Sequence, residues 1–196
     1  VREIYGLHMN PNYAPGKVAL REGPIMARPD EFEIEITGRG GHAASPHLTV
    51  DPIVVMAQII TQFQTIVSRS VDPADPAVVT VGKVRAGSTY NVIPEKAGMI
   101  GTVRTFSGET AEQISRRMHQ ILEGAAASSG ITFTFNFNEG YPAVVNDPQC
   151  TRKLISTAEK LMGSDAVIAI EKPIMAGEDF SFYQQHFPGA FFMLGS

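Results

Sequence analysis

The sequence holds a single cysteine, Cys150, so no disulfide can form within the chain. A lone thiol fits a reducing compartment, and a cytoplasmic location is expected. An excess of basic residues is also missing. Charged residues make up 18% of the chain and the net charge is −4, which argues against a nucleic-acid partner. No run is long and apolar enough to span a bilayer, and no signal-peptide pattern opens the chain. An initiator methionine is lacking too. The chain starts at Val1 and stops just after Phe191-Phe192-Met193-Leu194, so it reads as a fragment of a longer protein. What remains is 196 residues, 43% of them hydrophobic, enough for one sizeable core or two small ones.

The densest chemistry lies in Gly38-Arg39-Gly40-Gly41-His42-Ala43-Ala44-Ser45-Pro46-His47. This stretch joins a strand over residues 31–37 to a helix opening near Asp51. Its clustered glycines suggest positive φ and a close approach of backbone to a ligand. A structural joint needs a glycine or two; it does not need two imidazoles. His42 and His47 either hydrogen-bond the turn or face a ligand, and the stretch alone leaves both readings open. His8, after the short apolar segment 1–7, reads as lying just beyond a strand end and pointing into a cleft, or as a plain surface histidine.

Periodicity organises the middle of the chain. Phe32, Ile34 and Ile36 alternate with Glu31, Glu33 and Glu35, the mark of a strand with one wet face. Asp51 and Pro52 open a helix to about Ser68, with Ile53, Met56, Ala57, Ile60, Phe63 and Val67 as its expected core stripe. Val55, Ile59 and Ile66 form a second apolar set on roughly the opposite side, at about 100° per residue. A helix apolar on two sides is covered twice, by another domain of the same chain or, the reading preferred here, by a second copy. Strands follow over Ala77–Arg85 and Lys96–Phe106, where Gly101 suggests a bulge or a close approach. Thr110 and Gln113 are expected to form a capping box for a helix ending at Gly130, before a strand over 131–137.

The order β-α-β-β-α-β predicts an α+β unit with two helices on one face of a four-stranded antiparallel sheet, the ferredoxin-like arrangement. In that topology the Ala77–Arg85 strand is an edge, proline-free and valine-rich, and open to pairing with another chain. Residues 139–196 change character: a helix capped by Asp147, near-continuous apolar strands, and a loop with adjacent carboxylates at Glu178 and Asp179. Cys150 lies on the apolar side of that helix and reads as packing rather than as a nucleophile. Residues 1–26 and 139–196 therefore read as parts of one α/β domain, with residues 27–138 inserted.

These features together resemble the two-metal amidohydrolase and metallocarboxypeptidase family, nearest to hippurate hydrolases, N-acyl-amino-acid amidohydrolases and plant auxin-conjugate hydrolases. The likeness rests on Gly6-Leu7-His8, the Gly38–Ala44 run with Pro46-His47 and Asp51-Pro52, Asn91-Val92-Ile93-Pro94, Gly101-Thr102-Val103-Arg104-Thr105-Phe106 and Gly177-Glu178-Asp179-Phe180, in the family's order. The resemblance implies a catalytic α/β domain interrupted by a lid that forms a homodimer, here through the Asp51–Ser68 helix and the Ala77–Arg85 strand. It implies His8 as a metal ligand and His42 as a catalytic residue that reaches a partner subunit's active site and steadies an oxyanion. Asn91 and Arg104 would hold the substrate, Arg104 at its carboxylate. Gly177 and Glu178 would line the pocket, and His47 would support it.

The implied reaction is hydrolysis of the amide bond of an N-acyl amino acid by a metal-activated water, with two zinc or manganese ions. The resemblance implies further metal ligands that find no match in these residues, and one ligand does not hold a metal pair. The chain alone is therefore expected to be inactive and to bind metal weakly. The competing reading is a ferredoxin-like dimerisation or small-molecule-binding module without catalysis. The His8 and Glu178 segments favour the enzyme.

Overall fold

The computed structural model describes all 196 residues. In chain order the elements are β1 (Ile4–Asn10), β2 (Val18–Leu20), β3 (Gly23–Met26), β4 (Arg28–Thr37), β5 (Gly41–His42), α1 (Pro52–Arg69), β6 (Val78–Ala86), β7 (Val92–Ile93) and β8 (Lys96–Thr105). Then come α2 (Gly108–Ser129), β9 (Thr132–Asn138), β10 (Val144–Asn146), α3 (Pro148–Met162), β11 (Val167–Ala169), α4 (Phe180–Gln184) and β12 (Gly189–Gly195). They fall into two compact units, Asp30–Gly140 and Val1–Pro29 with Tyr141–Ser196.

The Asp30–Gly140 unit is a ferredoxin-like α+β fold with sheet order β6-β8-β4-β9. β4 pairs antiparallel with β9, and β6 with β8. Lys96 meets Glu35 at 2.6 Å and the Thr102 hydroxyl donates to Asp30 O at 2.8 Å, so β4 and β8 also run in opposite directions. Phe32, Ile34 and Ile36 are buried while Glu31, Glu33 and Glu35 are exposed, because a strand presents alternate residues to its two faces. The buried face meets Val55, Met56, Ile59, Phe63 and Ile66 of α1 and Ile114, Met118 and Leu122 of α2 in one core.

Helix α1 is apolar around much of its girth, and its core side draws on both expected sets: Met56, Ile60, Phe63 and Val67 of the first lie in or against the core together with Val55, Ile59 and Ile66 of the second. Val55, Ile59 and Ile66 are buried, whereas Ile53 is 44% and Val54 54% exposed. Met56 and Phe63 sit where the two sets adjoin and are buried in either assignment. Asp51 caps the helix by accepting from Ile53 N at 2.8 Å. For α2 the cap is Ser107, whose hydroxyl accepts from Thr110 N, rather than Thr110 itself. Gln113 instead donates to Ser70 O at 2.7 Å and ties α2 to the end of α1.

Gly101 sits where its neighbours leave no room for a side chain. An added Cβ would lie 2.2 Å from Phe32 Cζ and 2.3 Å from Thr80 O, and Phe32 is itself held edge-on to Phe63. The opposing strand shifts register between Val81 and Lys83, which leaves Gly82 without a partner. Gly101→Ala is expected to lower stability by about 3 kcal/mol through overpacking. An unchanged urea-unfolding midpoint would contradict that.

The other unit carries a sheet of order β1-β12-β2-β11. β1 and β12 are parallel, as are β2 and β11, while β12 and β2 are antiparallel. Asn146, 1% exposed, accepts from Phe191 N at 2.7 Å and donates to Phe191 O and Arg21 O, so one amide pins β10 to β12. Asp147 caps α3 through Cys150 N at 2.9 Å. Cys150 is buried, and burial pushes its thiol above the ordinary range, so it packs and does not attack.

Candidate functional site

His42 and Val92 face each other across a two-residue ladder, β5 against β7. Ala43 N donates to Asn91 O at 3.1 Å, so the structure brings His42 and Asn91 together. Glycine makes this possible by its lack of bulk. A Cβ on Gly40 would lie 2.8 Å from Ile93 O, and one on Gly38 would lie 2.1 Å from Val50 O. Neither glycine, nor Gly41, has positive φ, so the expectation of left-handed backbone here is corrected. The loop packs backbone against its own neighbouring chain. Arg39 completes the clamp, exchanging backbone bonds with Val50 and donating from Nε to Leu48 O at 3.0 Å.

The two candidate imidazoles are held in opposite tautomers. Ala44 N–H donates to His42 Nδ1 at 3.1 Å, so that nitrogen carries the lone pair and the proton of the neutral ring sits on Nε2. His8 Nδ1 lies 2.7 Å from Met9 O, an acceptor, so Nδ1 carries the proton and Nε2 the lone pair. His42 therefore presents a hydrogen-bond donor and His8 a lone pair. Both rings are exposed. His8 lies inside β1, opposite Met193 of β12, and not beyond the end of the strand as expected.

The Glu178 segment belongs to the same unit as His8. Glu178 O accepts from Ser181 N and Oγ, which turns the chain into α4. A Cβ on Gly177 would lie 2.4 Å from Pro29 Cγ, so the loop approaches that ring more closely than any side chain allows. Phe180 lies over Gly6, where a Cβ would come within 2.7 Å of its ring. The loop is thereby fastened beside the strand that carries His8.

Arg104 stands apart from His42 and Asn91. It pairs with Val78 near the far end of β8, while Asn91 and His42 sit by the start of that strand. Eight residues from Lys96 to Arg104 correspond to about 26 Å. His47 is exposed on the one-turn 3-10 helix Pro46–Leu48. The backbone amides of Ala43 and Ala44, which set Asn91 and His42, were not singled out from the sequence; the small residues after His42 were the only hint.

No group of three or more His, Cys, Asp or Glu side chains is arranged to hold a metal ion. Side chains of this chain alone therefore do not assemble a two-metal centre.

The ferredoxin-like unit thus has two edge strands, β6 and β9, and carries His42 on the short β5–β7 ladder. The chain belongs to the M20 peptidase family, and residues 30–129 match its peptidase dimerisation domain. It is 40% identical over 193 residues to N-acetyl-L-cysteine deacetylase of Bacillus subtilis, covering 98% of this chain and 46% of that protein. With N-acetyldiaminopimelate deacetylase of Enterococcus faecalis the identity is 42% over 196 residues, covering 98% and 51%. A solved structure of a dinuclear metal-binding M20 peptidase from Bacillus subtilis is similar at TM-score 0.78 and 34% identity, covering 100% of this chain and 48% of that one. The chain spans about half the length of the curated relatives it matches.

Proposed function

We propose that the full-length protein is a metal-dependent amidohydrolase that cleaves the amide bond of N-acyl amino acids, working as a cytoplasmic homodimer. The observation that carries this reading is His42, exposed, with its Nε2–H free to donate and Asn91 fixed beside it. A donor of that kind suits the oxyanion that forms as water adds to an amide carbonyl. Arg104 offers a forked cation for the free carboxylate that every acyl amino acid carries. His8, with its Nε2 lone pair outward, would serve as one ligand of a zinc or manganese centre. The remaining ligands would come from outside these residues. Gly177 and Glu178 would line the substrate pocket. Residues 1–26 and 139–196 would serve the catalytic domain, and residues 27–138 would be the lid.

The geometry of the lid favours a partner through β6. Arg104 and His42 of one copy are too far apart for a single acyl amino acid. β6 is one of the two sheet edges, on the side away from β9, and Lys83–Ala86 are exposed along it. Antiparallel pairing of β6 with a second β6 would set Val78 of one copy near Ala86 of the other. Arg104 would then lie three strand spacings, about 14 Å, from the end that bears the partner's Asn91 and His42. The outward side of α1, with Ile53 and Val54, would join the same interface.

The test is hydrolysis of N-acetyl and N-benzoyl amino acids by the full-length protein. Activity should vanish with a chelator and return with zinc or manganese; no hydrolysis of either substrate would reject the reading. Arg104→Ala should raise KM for free-carboxylate substrates about 30-fold, the worth of a charge-assisted pair. An equal loss on the matching methyl esters would remove Arg104 from the carboxylate.

A further inference from the structure

Tyr90 stands out from the other tyrosines in the chain. Tyr5 bonds Glu3, Tyr13 packs on a core cluster, Tyr141 stacks on Phe182 and Tyr183 on Phe180. Tyr90 is 96% exposed and has no ring against it. It lies in the turn between β6 and β7, one residue before Asn91, whose carbonyl is bonded to Ala43 N. Its backbone therefore adjoins the ladder that carries His42. Val92, the residue opposite His42, is 47% exposed, and Leu48 on the adjoining turn is 65% exposed. Tyr90, Val92 and Leu48 are thus exposed apolar side chains on the segments that flank His42 in the chain or across its ladder. A donor stabilises developing charge far better once water is excluded from it.

We propose that Tyr90 is a substrate-contacting residue that covers the acyl group of the amide, a specificity role that rests on the amidohydrolase reading. The chemistry assigns the acyl end by division of labour. Arg104 takes the carboxylate and His42 the carbonyl oxygen. Tyr90, on the turn next to Asn91, is left the acyl group. A flat phenol with two torsions suits an aryl or extended alkyl acyl group far more than a methyl.

The experiment compares Tyr90→Ala and Tyr90→Phe in the full-length protein, on N-benzoyl and N-acetyl forms of the same amino acid. Tyr90→Ala is expected to lower kcat/KM for the benzoyl substrate about tenfold, the order expected for lost aromatic burial, and for the acetyl substrate less than about threefold. Tyr90→Phe should keep the benzoyl rate. Melting temperatures should not move, since the side chain is exposed. Equal rates for Tyr90→Ala and the unaltered protein on both substrates would overturn the assignment, as would equal losses on both. Failure of the unaltered protein to hydrolyse either amide would overturn the amidohydrolase reading, and this inference with it.

Discussion

Replacing His42 with alanine in the full-length protein is expected to lower kcat by about a hundred- to a thousandfold, the range seen on removal of one oxyanion donor. The expectation follows from a single atom. Ala44 N–H occupies Nδ1, so the only proton that the neutral ring can offer is on Nε2. Folding should be untouched, because the ring is exposed and its sole hydrogen bond is local. His42→Asn restores an N–H donor at shorter reach and should recover part of the loss. Turnover unchanged in His42→Ala would remove the ring from the reaction. A drop in melting temperature matching the drop in kcat would make it a structural residue.

The second large effect separates the two sides of α1. Ile59 is fully buried among the sheet and α2, so Ile59→Asp places a carboxylate where nothing can pair with it. The cost, about 5 kcal/mol or more, is comparable with the whole stability of a small domain, and the inserted unit should fail to fold. Val54, only five residues away, is 54% exposed on the other side. Val54→Asp should leave the circular dichroism and thermal melt unchanged and shift the sedimentation profile toward the monomer. A normally folded Ile59→Asp protein would contradict the assigned core. An unaltered profile for Val54→Asp would contradict the proposed interface.

These two residues also mark where reading the sequence succeeds and where it stops. The β-α-β-β-α-β order is legible because alternation along β4 and β9 and helical spacing along α2 leave one consistent assignment. It places β6 at the edge without any coordinates. For α1, a helix apolar on two sides has no single phase in its hydrophobicity, so the pattern does not fix where the core side is centred: it falls between the two expected sets and leaves Ile53 and Ala57 outside. The glycines before His42 misled in a similar way. Glycine answers equally to a need for positive φ and to a need for no Cβ, and the need here is the second. Nor can a ladder as short as β5 with β7 be seen in a pattern of period two, although it alone brings Asn91 to His42. Gly101 is the converse case: its place inside a strand signalled close approach, and Phe32 is what approaches.

The pairing of β1 with β12 joins Ile4 to Gly189, nearly the full length of the chain apart. The inserted unit, by contrast, closes on itself between residues 30 and 140. Every contact it needs is present once that stretch has left the ribosome. β1, already synthesised, must wait for β12 before this ladder can form, so loop closure makes the pairing slower and later to assemble than the Asp30–Gly140 unit. Until then Tyr5, Leu7 and Met9 lack the β12 strand they pair with, while the Asp30–Gly140 unit can already be complete.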